Sequence, residues 1–176
     1  IFDVDAIGLV NMVARLNSGL DLGGSSIGTT ASFSIGVGAN PGAIDPERER
    51  SRFRWKVEAG AEWVMTQPVF DVEALFRFLD FAEPYGLPVL AGIWPLRNLR
   101  NAEFMAHEVP GVIVPPGILE RMGRWTSAED QLKEGLAIAQ ELLEAVRPRV
   151  RGVQIAAPLG QVDLLEGLLR WVREEA

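Results

Sequence analysis

Apolar positions along the chain alternate between the spacing of an amphipathic helix and the short continuous runs of buried strands. From Phe2 to Asn17, apolar side chains recur every three or four residues, which predicts a helix with Asp3 or Asp5 as its N-cap. Short runs of β-branched and small residues follow at intervals. They predict four strands: Phe33–Ala39, Trp63–Gln67, Pro88–Ile93 and Gly152–Ala157.

Helix signals separate these strands. Asp45, Asp71 and Ser127 are capping residues placed just before amphipathic stretches, and Pro46 occupies a first helical turn. The predicted helices therefore run from Asp45 to Gly60, from Asp71 to Gly86, from Asn98 to His107, from Ser127 through Val146, and from Gln161 to Glu175. The stretch Pro110–Gly117 is proline-rich and is predicted to be a loop.

This order of elements predicts an α/β fold, since strands that alternate with helices form a parallel sheet with helical cover. The order alone leaves open a doubly wound sheet or a (β/α)8 barrel. Four strand–helix units are half of a barrel of about 250 residues. The two edge strands of a four-stranded sheet would be exposed if the sheet stood alone. We therefore expect either further strand–helix units upstream or an association of two copies. The start at Ile1 rather than Met favours a polypeptide trimmed upstream.

The amino-acid composition disfavours several classes of functional site and partner. The chain has 176 residues, 48% of them hydrophobic, which predicts one domain with a real core. It has no cysteine, and His107 is its only histidine, so a thiolate or histidine metal centre is not expected and a serine triad is disfavoured. A net charge of −7 argues against nucleic acid and anionic membranes as partners. No segment is long and apolar enough to predict a membrane span, and we expect a cytoplasmic protein.

The carboxyl ends of the strands carry the candidate chemistry, because ligands of α/β folds bind there. These segments are small, apolar or amide-bearing, and they contain no pair of carboxylates: Gly38–Pro41, Thr66–Pro68, Trp94–Leu96 and Ala157–Gly160. Such a lining suits a flat, uncharged ring held by backbone groups and one or two amide hydrogen bonds.

Gln67 is the sharpest polar candidate. Strand alternation places it on one face with Trp63 and Met65, and places Val64 and Thr66 on the other. A glutamine amide donates and accepts at once, which matches the edge of a pterin or flavin ring. The alternative is a glutamine that binds only its own loop, and the pattern by itself favours neither interpretation.

The run from Arg48 to Lys56 is the only basic cluster. Arg52 and Lys56 are four residues apart and share a helix face, so they could bind an anionic diphosphate. The competing interpretation is a solvated face paired with Glu47, Glu49 and Glu58. Spacing alone favours the solvated face.

Seven short motifs together resemble the C-terminal half of the methylenetetrahydrofolate reductase barrel, particularly the form fused to a homocysteine methyltransferase domain. They are Phe2–Gly8, Ile35–Gly42, Lys56–Ala61, Met65–Asp71, Gly92–Leu96, Arg100–Phe104 and Glu108–Gly111. The resemblance spans nearly all of the chain, so residues 1–176 are expected to form part of that barrel, without its N-terminal half.

The resemblance implies a (β/α)8 barrel that holds FAD at its strand ends. Hydride would pass from NADH or NADPH through the flavin to 5,10-methylenetetrahydrofolate, giving 5-methyltetrahydrofolate. In this family the glutamine of the Thr-Gln motif, here Gln67, binds the folate beside the flavin, and the neighbouring Met65 and Thr66 would line the ring.

Other positions follow from the same resemblance. The loop Gly38, Ala39 and Asn40 would pass close to FAD, and Lys56 would face its phosphate and ribityl portion. Arg52 joins this set only through its spacing to Lys56. Leu99 lies near the place where some relatives present an aromatic ring to folate or nicotinamide, and it could cover the ligand without stacking on it.

The sequence also departs from the family pattern. Trp94 is larger than the usual residue, and Ala156–Pro158 lacks a tyrosine that some members have. The family's glutamate general acid belongs to the first barrel strand, and its aspartate near the flavin belongs just before Phe2. No catalytic residue is therefore assigned here, and these 176 residues alone are expected not to turn over.

The expected partners of the chain are folate and the missing half-barrel. The alternatives are a non-catalytic half-barrel scaffold and another pterin-binding barrel.

Overall fold

A four-stranded parallel sheet forms the centre of the protein. A computed structural model of the chain describes residues 4–157 and 162–174. The strands are β1 (Gly36–Ala39), β2 (Trp63–Pro68), β3 (Val89–Ile93) and β4 (Gly152–Ile155). The helices are α1 (Ala6–Asn17), α2 (Pro46–Glu58), α3 (Val72–Ala82), α4 (Leu99–His107), α5 (Pro116–Gly123), α6 (Ala128–Val146) and α7 (Glu166–Glu174).

The strands follow one another in the sheet in the order β1-β2-β3-β4, and all three pairings are parallel. Each strand thus lies beside the one that precedes it in the chain. A doubly wound sheet reverses direction at a switch point, whereas a (β/α)8 barrel adds strands consecutively. The α/β fold is confirmed, and the consecutive order is that of a barrel segment.

Local capping explains where most helices begin. The side chains of Asp45, Asp71 and Ser127 accept hydrogen bonds from backbone N–H groups three residues later, as predicted. Asn98 caps α4 in the same way. The first helix starts at Ala6 with Asp5 as its N-cap, and the other candidate cap, Asp3, lies outside the described residues.

Several observed boundaries differ from the predicted ones. β1 begins at Gly36 and not at Phe33, whose side chain is exposed. The predicted Pro110–Gly117 loop ends early because α5 begins at Pro116, where the fixed φ of proline suits a first helical turn. The last predicted helix divides into a 3₁₀ turn, Val162–Leu165, and α7, while Gln161 and Glu175 lie outside the described residues.

The two faces of the sheet have different environments. Val64, Thr66 and Ala91 point toward the covering helices and are buried, with the core continuing into residues such as Phe53, Leu75 and Leu143. The opposite face carries Trp63, Met65 and Gln67, as strand alternation predicts. This second face is the one that borders the candidate site.

None of the helices within residues 4–157 and 162–174 has the length and apolarity needed to cross a membrane. The same residues contain no cluster of three or more His, Cys, Asp or Glu side chains that could hold a metal ion.

Candidate functional site

A cavity of about 580 Å³ lies between the open face of the sheet and helix α4. The strands and the segments after them contribute one wall: Gly36, Gly38, Trp63, Met65, Gln67, Trp94, Gln154 and Ala156. Helix α4 and the residues after it contribute the other: Asn101, Phe104, Met105 and Val109. The cavity thus extends along the sheet to the carboxyl ends of the strands, where ligands of this fold class bind.

The cavity lining is apolar except for a few amide groups. No ionisable residue occurs in the lining within the described chain, and the amide side chains there are Gln67, Asn101 and Gln154. Such a lining can orient a polar ring by hydrogen bonds while the surrounding Met and aromatic side chains exclude water. It offers no acid or base for proton transfer.

A break in the β2–β3 ladder sets the position of Gln67. The register shifts between Met65 and Pro68. At this point the Thr66 hydroxyl accepts a hydrogen bond from the Gly92 N–H at 2.9 Å and donates one to the Gln67 carbonyl at 2.8 Å. The Thr66 hydroxyl therefore takes the place of a backbone carbonyl as the acceptor for the Gly92 N–H. Irregularities of this kind re-aim side chains beside binding sites, and here the Gln67 side chain is exposed toward the cavity.

Glycine is required at position 92 for this arrangement. A Cβ atom there would lie 2.8 Å from the Thr66 carbonyl oxygen, which belongs to the backbone and has little room to move. Gly92 therefore allows the two strands to approach each other where the ladder is irregular.

Glycines on β1 leave room for a flat ligand. A Cβ atom placed on Gly38 would meet no other atom within 4 Å, so this part of the cavity wall is bare backbone. At Gly36 the space is already filled, because the indole of Trp63 would lie 2.2 Å from such a Cβ. A planar ring could thus approach Gly38 closely, which fits the isoalloxazine of a flavin.

The sequence profile of the methylenetetrahydrofolate reductase family matches residues 9–154, most of the chain. The chain belongs to this family. The 5,10-methylenetetrahydrofolate reductase of Escherichia coli is 31% identical over an alignment of 122 positions that covers 65% of this chain and 40% of that enzyme. Methylenetetrahydrofolate reductase 2 of Schizosaccharomyces pombe is 26% identical over an alignment of 137 positions that covers 68% of this chain and 21% of that protein. The chain thus spans less than half the length of these relatives.

A solved structure supports the fold independently of sequence. A protein from Clostridium thermocellum, described as binding two copies of 5-methyl-5,6,7,8-tetrahydrofolic acid, superposes with a TM-score of 0.54. The match covers 82% of this chain and 55% of that one, at 17% identity. At this identity the likeness concerns the fold alone, and it is consistent with part of a (β/α)8 barrel.

Of the residues that the family resemblance assigns to ligands, four line the cavity: Gly38, Met65, Thr66 and Gln67. Their contact with a ligand stays a prediction. Thr66 also has a structural role, because both hydrogen bonds of its hydroxyl are made within the sheet.

Lys56 lies behind β1 and not in the cavity lining. Its side chain is 10% exposed, and its ammonium donates a hydrogen bond to the Gly38 carbonyl at 2.7 Å, with Glu49 at 4.0 Å. Burial lowers the pKa of this ammonium below its ordinary value of 10.5, an effect that Glu49 opposes and Arg52 strengthens. In this structure Lys56 supports the wall of the cavity at Gly38 from the helix side.

The loop after β1 is also held by its own contacts. The Asn40 backbone N–H donates to Glu49 at 3.0 Å, and its side-chain oxygen accepts from the Gly42 N–H at 3.1 Å. The side chain of Ala39 is buried in the core. Neither Ala39 nor Asn40 is part of the cavity lining.

Arg52 and Leu99 lie away from the cavity too. Arg52 faces Asp5 at 3.6 Å, an ion pair between α1 and α2. Leu99 is the first residue of α4, and its backbone N–H donates to Gln131 on α6 at 3.0 Å. The α4 side chains that reach the cavity are instead Asn101, Phe104 and Met105.

Several lining residues escaped the sequence analysis. Asn101, Phe104 and Met105 share a helix face at spacings of three and four, a pattern that could have identified a second wall once α4 was known to cover the sheet. Gln154 and Ala156 alternate on β4 and the residues after it, as Gln67 does on β2. Trp94, which the sequence analysis placed in a strand-end segment and noted as a departure from the family pattern, also lines the cavity. Pro158 lies outside the described residues.

Proposed function

We propose that this chain forms the folate- and flavin-binding part of an FAD-dependent methylenetetrahydrofolate reductase. In this reaction, hydride passes from NADH or NADPH through the flavin to 5,10-methylenetetrahydrofolate and yields 5-methyltetrahydrofolate. Family membership supports the reaction class. The observation that carries the proposal is the Gln67 amide, exposed in an apolar cavity at the carboxyl ends of parallel strands.

The side chains of the cavity have distinct tasks in this proposal. The Gln67 amide donates to and accepts from the polar edge of the pterin, which fixes the orientation of the ring. The bare backbone at Gly38 allows a planar ring to approach, and Met65 and Phe104 exclude water from the faces of the rings. FAD, when bound, supplies the hydride-transfer chemistry.

The proton for the folate nitrogen must come from elsewhere. Opening the imidazolidine ring of the substrate requires a general acid, and the cavity lining within the described ranges has no ionisable side chain. We place this acid in the part of the protein that lies outside these 176 residues. This assignment agrees with a chain that spans 40% of its Escherichia coli relative.

A non-catalytic half-barrel is the second candidate function. The cavity without ionisable groups favours it, because such a site can bind a ring without reacting with it. The two candidates differ in what the purified full-length protein contains. A reductase carries a yellow flavin that NADH or NADPH bleaches, whereas a scaffold stays colourless when FAD is added.

The Gln67→Leu variant of the full-length protein tests the proposed reductase. We expect weaker reactivity toward folate, by about 1–3 kcal/mol of transition-state stabilisation, because a buried pterin edge loses its partner. FAD should remain bound. Steady-state folate kinetics and the flavin absorption spectrum measure the two effects. Gln140→Leu is the matched control, since Gln140 is exposed on α6 and bonds only Glu144. Unchanged folate kinetics in Gln67→Leu would remove Gln67 from the site.

A further inference from the structure

A second glutamine borders the same part of the cavity as Gln67. In the β3–β4 pairing Gln154 lies beside Gly92, and on the other side of Gly92 the irregular β2 strand presents Gln67 and Pro68. Both glutamines line the cavity. Neighbouring strands are about 4.8 Å apart, so two strand spacings place the two backbones about 10 Å from each other.

Gly92 lies between the two glutamines and adds no side chain, and the backbones of Thr66 and Gln67 occupy the position of its missing Cβ atom. Across the three strands Pro68 pairs with Gly92 and Gly92 pairs with Gln154, with Gln67 one residue before Pro68. Trp94, two residues after Gly92, adds an aromatic surface to the same cavity. The two amides thus border one cavity from β2 and β4, beside an aromatic surface, a lining that suits a fused-ring heterocycle.

Both amides are available to a ligand. Within residues 4–157 and 162–174, the side chains of Gln67 and Gln154 form no hydrogen bond, and the Thr66 hydroxyl reaches only the backbone carbonyl of Gln67. Gln131 differs, because its side chain accepts from Leu99 and donates to Trp125. Glutamine side chains that serve structure in this protein are thus paired, while the two in the cavity are not.

We propose that Gln154 is a second ligand-recognising residue of this site, which hydrogen-bonds the lactam edge of the planar heterocycle held there. A lactam places an N–H donor beside a carbonyl acceptor, and a primary amide matches both at once. Pterin and flavin rings share this chemistry. The inference rests on the proposed function and adds a binding residue on β4, the strand farthest from β1.

The experiment measures the dissociation constants of FAD and of 5-methyltetrahydrofolate separately in the full-length protein. FAD binding is followed by flavin fluorescence, and folate binding by calorimetry. The variants are Gln154→Leu and Gln154→Glu, with Gln67→Leu for comparison and Gln140→Leu as the control. We expect Gln154→Leu to weaken one of the two ligands by about fivefold to tenfold, the size of one lost hydrogen bond. The ligand that weakens identifies the ring that Gln154 contacts.

Gln154→Glu separates recognition from packing. The carboxylate keeps the length and the acceptors of glutamine but cannot donate, so we expect it to weaken the same ligand as Gln154→Leu. The melting temperature should change little in either variant. A loss of binding in Gln154→Leu alone, together with a lower melting temperature, would assign Gln154 a structural role and overturn the inference.

The remaining outcomes distinguish this inference from the proposed function. If Gln67→Leu weakens folate while both Gln154 variants bind both ligands as the wild type does, the inference fails and the proposed function stands. If the wild-type protein binds neither FAD nor 5-methyltetrahydrofolate, both fail together.

Discussion

Thr66 controls the site through the backbone of its neighbour. Its side chain is buried, and its hydroxyl joins the Gly92 N–H to the Gln67 carbonyl. These two bonds stabilise the irregular register that turns the Gln67 amide into the cavity. Thr66 thus acts as a positioning residue for Gln67, whether or not it also touches the ligand.

Replacing Thr66 by valine tests this role, because valine keeps the shape and removes the hydroxyl. We expect Thr66→Val to lower the free energy of unfolding by about 1–3 kcal/mol, since the buried Gly92 N–H loses its acceptor. Folate binding should weaken as well. Thr66→Ser keeps the hydroxyl and should retain most of the binding. Urea unfolding and folate titration measure both effects, and a Ser variant as impaired as the Val variant would contradict this role.

At the scale of elements, helix α6 holds the segment between β3 and α4 in place. Gly135 on α6 lies so close to this segment that a Cβ atom would be 1.7 Å from the Leu96 carbonyl oxygen. One turn earlier, Gln131 accepts the Leu99 N–H and donates to the Trp125 carbonyl at 2.7 Å. Since Trp94 is the first residue of this segment and Asn101 follows it on α4, these contacts with α6 help to position two lining residues of the cavity.

A methyl group at position 135 should therefore displace α6 or the Leu96 backbone. We expect Gly135→Ala to destabilise the protein by about 1–3 kcal/mol, as overpacking does in a close-packed core. Gly117→Ala in α5 is the matched control. A Cβ atom there meets no atom within 4 Å, so the same substitution should be neutral or slightly stabilising. Thermal or urea unfolding compares the two, and equal stability of both variants would contradict the close approach.

At the scale of the whole molecule, the sheet of the described residues is open on both sides. β1 pairs only with β2, and β4 pairs only with β3. The face that lines the cavity is covered by α4 over part of its surface. The upstream half-barrel that we propose would close the sheet and bring further side chains to the cavity, and an association of two copies is the alternative proposal.

A prediction at this scale concerns the activity of the isolated chain of 176 residues. We expect no measurable reduction of 5,10-methylenetetrahydrofolate, because none of the described lining residues can donate a proton. The assay follows NADH or NADPH oxidation and folate reduction with added FAD, and the full-length protein is the positive control. Robust turnover by the chain alone would show that the acid lies within it.

Local chemistry along the chain determined much of the fold. Capping side chains act within one helical turn, so Asp45, Asp71 and Ser127 could be recognised from the sequence. Alternation along a strand is equally local, and it placed Gln67 on the correct face of β2. The motifs around these elements were sufficient to identify the family.

Contacts between distant segments decided the rest. The bond of Lys56 to the Gly38 carbonyl joins residues 18 positions apart, and the bond of Thr66 to Gly92 joins residues 26 apart. The cavity itself forms only where α4 covers the sheet, which brings Asn101 opposite Gln67 and Gln154. A pattern within one segment predicts which face a side chain occupies. What that side chain meets depends on how the chain folds back on itself, because the partners come from other strands and helices.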